Sequence, residues 1–166
     1  MKYRIILVAI ISSLAIKAKG QTAGQLEAGV RIGLPLGPTA RYYISDKFAA
    51  EAIVGLYNRT ASITALGEFH FDLSALTTEG FGWYAGGGAH LGTRRIDGST
   101  KFLAGIDGIA GANYNFPTIP LNLSLDWKPA IHFTTTSELA DFGISARYRF
   151  GGRKKTNVFL TNNKRL

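Results

Sequence analysis

The sequence contains no cysteine, and only one methionine and five prolines in 166 residues. Without cysteine there is no lipoprotein attachment site, no disulfide framework and no thiolate metal centre. An apolar run of the roughly 18–20 residues that a transmembrane helix needs is also missing. The longest, Ile5 to Ile16, is broken by Ser12 and Ser13, follows Lys2 and Arg4, and leads to Ala18-Lys19-Gly20, with small residues where a signal peptidase reads. Residues 1–20 therefore read as a secretory signal peptide cleaved before Gln21. Any membrane location of the mature chain has to be argued from strands.

Acid is absent from both ends. The leader holds four bases (Lys2, Arg4, Lys17, Lys19) and the segment after Phe150 holds five (Arg153, Lys154, Lys155, Lys164, Arg165), with no Asp or Glu in either. Those nine exceed the net charge of +8, so the chain between them is slightly acidic. A nucleic-acid-binding domain carries its positive charge on a folded face with stacking aromatics nearby. Here the charge sits on the ends, which excludes that class. Residues 151–166 read as a basic, polar periplasmic tail.

What is abundant is alternation. Leu26, Ala28, Val30, Ile32 and Leu34 fall on one side of an extended chain, and Gln25, Glu27, Gly29, Arg31 and Gly33 on the other. Near the end, Phe142, Ile144, Ala146, Tyr148 and Phe150 alternate with Asp141, Gly143, Ser145, Arg147 and Arg149. Period two is the signature of a strand with unlike faces. Six further segments repeat it, at about the length that crosses a bilayer when tilted. They are expected over Thr39 to Ser45, Phe48 to Tyr57, Ser62 to Leu73, Phe81 to Thr93, Lys101 to Phe116 and Leu121 to Lys128, with the last strand completing eight. Arg94 to Thr100 reads as a polar loop, Pro129 as the end of the seventh strand, and His132 to Ala140 as a Thr-rich loop. One domain, residues 21–150, follows: an all-β, eight-stranded antiparallel up-and-down barrel.

Whether the apolar face lines the lumen or meets lipid separates a soluble ligand-binding barrel from a membrane barrel. Three features favour lipid. The polar face is rich in glycine (Gly29, Gly33, Gly55, Gly86, Gly88, Gly92, Gly105, Gly111, Gly143), which makes room in a narrow lumen. Its charges nearly balance: Glu27, Glu51, Glu68, Asp72, Asp107 and Asp126 against Arg31, Arg41, Lys128, Arg147 and Arg149, as an interior network requires. Aromatics on the apolar face gather near strand ends, Phe48, Phe71, Phe81, Phe116, Tyr148 and Phe150 towards one rim and Phe102, Trp127 and Phe142 towards the other, like interfacial girdles.

These residues carry a resemblance. The Pro120-Leu-Asn-Leu-Ser-Leu-Asp-Trp127 strand, the closing Ala146-Arg-Tyr-Arg-Phe150 and the architecture from Gln21 to Phe150 resemble the small eight-stranded outer-membrane barrels of Gram-negative bacteria, the OmpX/OmpA-transmembrane-like or porin family. The resemblance implies an outer-membrane location, surrounding lipid, and recognition of the final strand by the barrel-assembly machinery. One departure is that the usual terminal Phe is here followed by sixteen residues. The group includes structural, adhesive and lipid-modifying members, so it implies fold and location rather than activity.

Chemistry is sparse. His70, Asp72 and Ser74 share one strand face and suggest, at most, a lipid hydrolase with a His-activated Ser. Their side chains point to the lumen, whereas a lipid substrate lies outside, so His70 reads as a hydrogen-bonded core residue and Ser74 as a turn serine. His90 and His132 have no metal-spaced companions in sequence, and no cofactor is expected. The Gly86-Gly87-Gly88 run and Gly105, Gly108 and Gly111 open no helix, which excludes a phosphate loop. Asn58-Arg59-Thr60 reads as a turn. The expected function is a non-enzymatic, monomeric envelope barrel acting structurally or through its loops, with a narrow pore as the alternative.

Overall fold

The computed structural model describes residues 22–57, 59–96, 98–134 and 139–150; the signal-peptide assignment (1–20) and the basic tail (151–166) lie outside the described residues. Nine strand segments follow one another: β1 (Leu26–Gly33), β2 (Gly37–Tyr43), β3 (Phe48–Tyr57), β4 (Thr60–Asp72), β5 (Phe81–Ile96), β6 (Ser99–Asn115), β7 (Leu121–Trp127), β8 (Ala130–His132) and β9 (Phe142–Phe150). Each pairs antiparallel with its neighbour in sequence, except that β8 continues β7. β9 returns to β1, with Leu26 opposite Phe150 and Gly33 opposite Gly143. The sheet is thereby closed and has no free edge.

The barrel has eight staves because β7 and β8 are one. Ala110 faces Trp127 across β6–β7, and Gly105 faces His132 across β6–β8, which is a single uninterrupted register. Pro129 does not terminate the strand as expected from its missing donor. Its carbonyl accepts from the amide of Gly108 at 2.9 Å, and Lys128 N donates to the Asp141 carbonyl at 2.7 Å. The proline costs one donor and leaves the path of the chain intact.

A second correction concerns the polar loop expected at Arg94 to Thr100. The β5–β6 hairpin runs without a break to Ile96 opposite Ser99, and Arg94 pairs with Lys101. Arg94, Arg95, Thr100 and Lys101 are strand residues on a hairpin that stands taller than its neighbours. The shorter β1, β2 and β9 leave the opposite wall low, so the mouth at this end is oblique.

Alternation sorts the side chains as a membrane barrel does. On β1, Glu27 and Arg31 are fully buried while Val30 and Ile32 are 54% and 67% exposed. Val54, Ile63, Leu91, Ile106, Leu125 and Ile144 continue the exposed apolar surface around the wall. A soluble barrel would put these side chains inside. Aromatic pairs cluster at the rim where β1 begins and β9 ends: Phe48 against Phe69, Phe71 stacked on Trp83, Tyr114 against Phe116, and Tyr148 against Phe150. Phe81 faces Tyr114 in the same band. Towards the other end, Trp127 is register-paired with Phe142, and its indole N–H donates to the Leu139 carbonyl at 2.8 Å. Phe102 stands eight residues beyond Ala110, Trp127's partner on β6, and faces Thr93. That side is a slanted band following the oblique mouth.

Candidate functional site in the barrel lumen

Inward positions of the staves build three stacked layers. Nearest the terminal rim, Arg41 on β2 is enclosed by carboxylates from its neighbours. Its Nη2 donates to Glu51 Oε2 at 2.6 Å and its Nε lies 2.9 Å from Glu68 Oε2, with Glu27 Oε2 at 3.8 Å from Nη1. The guanidinium lies over the Tyr84 ring, 4.6 Å from its centroid, which adds a cation–π contact. Arg147 enters from β9, donating to Glu51 Oε1 at 2.5 Å and to Ser124 Oγ at 2.8 Å; Thr39 Oγ1 also donates to Glu51. His70 packs between the rings of Tyr43 and Tyr84, with its Nε2 3.1 Å from Glu68. Ion pairs this deep offset their desolvation only where opposite charges meet at close range, as Arg41 and Arg147 do at Glu51. Both Glu27 oxygens, Glu68 Oε1 and Arg41 Nη1, by contrast, are buried without a hydrogen-bond partner among the described residues.

The middle layer is partly apolar, a feature that alternation along single strands does not reveal. Ile53, Leu66, Ile109 and Tyr84 form a buried cluster inside the barrel. Ile53 stands two residues past Glu51 and Leu66 two before Glu68, so the cluster lies directly above the carboxylates. Beside it, Arg31 Nη2 pairs with Asp126 Oδ1 at 2.5 Å, and Tyr84 Oη donates to Asp126 Oδ2 at 3.1 Å. Gly143 and Gly111 make this possible. A Cβ at Gly111 would lie 2.8 Å from Tyr84 Cζ and 2.7 Å from Asp126 Cβ.

Above the cluster, Asp107 holds the third layer together. It accepts from Lys128 Nζ and lies 2.8 Å from His90 Nδ1, while His90 Nε2 lies 2.8 Å from His132 Nδ1. The two histidines come from β5 and β8, which no spacing in the sequence links. Among the described residues no cluster of three or more His, Asp or Glu is arranged to hold a metal.

Over this layer the lumen opens into a cup of about 440 Å³ at the mouth opposite the rim where β1 begins and β9 ends. Lys128, His90 and His132 form its floor; Arg59, Arg94 and Arg95 stand around its upper wall, with Asp141 beside them. From spacing alone these arginines are turn and loop charges. They converge only because β4 and β5 pair to their tips, where Arg59 O accepts from Arg95 N at 3.0 Å and Arg94 Nε donates to Thr60 Oγ1 at 3.1 Å.

Most of the charged residues expected inside thus meet in the three layers, while two sit at the terminal rim. Asp72 is half-buried at the end of β4, accepting from the amide of Ser74 at 2.7 Å and from its hydroxyl. Arg149 is half-buried, register-paired with Glu27. Ser74 Oγ is thus engaged by Asp72 in a turn, and His70 by Glu68 and two rings in the lumen.

The fold is that of the small eight-stranded outer-membrane barrels. The N-terminal β-barrel domain of Pseudomonas aeruginosa OprF superposes with a TM-score of 0.59 at 15% identity, over 80% of this chain and 100% of that one. Neisserial surface protein A is a more distant match, with a TM-score of 0.43 and 18% identity over 75% of this chain and 92% of that one. No protein-family model matches the sequence, and no curated protein matches it.

Proposed function

We propose that this is an integral outer-membrane β-barrel, closed across its middle, that serves the cell envelope structurally or through contacts at its open mouth rather than as a pore or a catalyst. One observation carries the closure: the Ile53–Leu66–Ile109–Tyr84 cluster and the Arg31–Asp126 pair fill the lumen side by side. Ions crossing the barrel would have to part a packed apolar layer and an ion pair, and an eight-stranded barrel is only just wide enough for its own side chains.

The apolar outer wall supports surrounding lipid, and the leader-like first twenty residues support export across the inner membrane. The final strand, ending Tyr148-Arg149-Phe150, has the aromatic character that suits recognition by barrel-assembly machinery. The staves are continuous around the ring, so a monomer is complete.

The test is conductance of the purified full chain in planar bilayers. A closed lumen gives no discrete steps at moderate voltage. Reproducible steps of uniform size would establish the narrow pore instead.

A further inference from the structure

The outer face of the tall β5–β6 hairpin changes character where it leaves the apolar wall. We propose that this face docks the phosphate headgroup of an acidic membrane lipid, with Arg59 and Arg95 as its cationic contacts.

Height comes first. Outward positions on β5 run from the exposed Leu91 to Thr93 and then Arg95. Across the hairpin, the exposed Phe102 stands opposite Thr93, and Thr100 opposite Arg95. Two residues of strand advance about 6.6 Å, or roughly 5 Å along the bilayer normal at the tilt of a small barrel. Arg95 therefore stands roughly 10 Å above Leu91, beyond Phe102 and level with headgroups rather than acyl chains. Arg59 reaches the same level from the turn between β3 and β4. Ile63 pairs with Leu91 and Ala61 with Thr93, and Arg95 N donates to Arg59 O at 3.0 Å.

A hollow of about 540 Å³ lies on this face, lined by Arg59, Thr93, Arg95, Gly98 and Thr100. Arg59 and Arg95 also border the cup, whereas Thr93, Gly98 and Thr100 belong to the outer hollow. Guanidinium forks and threonine hydroxyls are the donors that phosphate oxygens accept. Arg94 takes no part, since it is engaged with Thr60 on the mouth side. Setting Arg94 aside, residues 52–67 and 91–102 hold Arg59, Arg95 and Lys101 against a single acid, Asp97. The face is thus net basic even with that acid counted in full, and a basic cluster beside a bilayer attracts acidic headgroups.

What lies beneath the hollow selects a lipid over a free phosphate. Ile63, Leu91 and Phe102 are exposed directly below it and continue the apolar wall. A headgroup seated between the arginines leaves its acyl chains lying along those side chains, so one molecule uses both surfaces.

The inference rests on the membrane barrel proposed above, with its apolar face outward. Native mass spectrometry tests it on the full chain refolded in detergent and titrated with phosphatidate, phosphatidylcholine or glycerol 3-phosphate. Phosphatidate should form a saturable one-to-one adduct, at least about tenfold tighter than phosphatidylcholine and weakened by added salt. Arg59→Gln and Arg95→Gln should each lower its affinity about fivefold, the scale of one basic residue beside an acidic surface. Lys47→Gln, at the opposite rim, should leave it unchanged, and glycerol 3-phosphate should not displace the lipid. All variants should keep the heat-dependent gel shift of a folded barrel. Equal binding of the two lipids, displacement by glycerol 3-phosphate, or a loss from Lys47→Gln as large as that from Arg95→Gln would overturn the proposal while leaving the barrel standing. A chain that neither shifts on boiling nor enters phosphatidylcholine vesicles would overturn the membrane reading, and the headgroup site with it.

Discussion

The guanidinium of Arg31 occupies the space that a side chain on Gly143 would fill: a Cβ there would fall 1.8 Å from Nη1 and 2.2 Å from Cζ. β1 and β9 are neighbours, and the glycine lets the arginine reach past the wall to Asp126 on β7. The glycines of the inner face are in this sense part of the ion-pair geometry. Gly143→Ala should force Arg31 aside and weaken its hold on Asp126, destabilising the barrel by about 1–3 kcal/mol as overpacking does. Urea unfolding followed by tryptophan fluorescence in detergent measures it, and an unchanged midpoint would mean that the pair is not anchored there.

Removing one partner from the lower network should cost more. Arg147→Leu strips Glu51 and Ser124 of a donor, and Glu68→Leu strips Arg41 of an acceptor. The first leaves three buried carboxylates around the Arg41 guanidinium, for which the expected loss is about 3–5 kcal/mol, while the second leaves Arg41 still paired with Glu51 and should cost less. The same unfolding measurement reports it.

The outer wall answers to a different solvent. Val54, opposite Ile63 on β4, points outward among apolar neighbours. Val54→Arg should impair insertion, with a cost of about 2–4 kcal/mol near the bilayer midplane, while Val54→Thr is mild. Refolding yield into lipid vesicles separates the two. Equal tolerance would mean that the faces are reversed.

A lipid-hydrolase role for His70 and Ser74 predicts fatty-acid release from mixed phospholipid micelles that His70→Ala or Ser74→Ala abolishes. His70 is sealed between Tyr43 and Tyr84 on the lumen side, away from lipid. The expected outcome is no release from the unaltered protein above a buffer control.

The barrel was legible because lipid on one side and ion pairs on the other impose opposite demands on adjacent residues. Wherever those demands hold, as in Leu26 to Leu34 or Leu121 to Lys128, alternation names the face directly. It fades where they stop. Arg94, Arg95, Thr100 and Lys101 belong to a hairpin near the mouth whose outward side is no longer apolar, so a paired strand looked like a loop. Ile53, Leu66, Leu103 and Ile109 break the pattern in the other direction, as apolar side chains at inward positions. In a one-dimensional reading they look like noise on the polar face. Only the closed register brings three of them together as a buried cluster beside Tyr84. The cup was harder still, since Arg59, Arg94, Lys128 and His132 approach one another only through strand pairings β4–β5 and β6–β8. At Pro129 the missing donor removes one ladder bond without breaking the strand.

The central claim is a lipid-embedded, closed barrel with its apolar face outward. The most direct test is the gel mobility of protein extracted with detergent from the membrane fraction, compared before and after boiling. A compact, faster or slower unboiled band that converts on heating is the predicted result. Recovery of the chain in the soluble fraction, with no difference between boiled and unboiled samples, would contradict it.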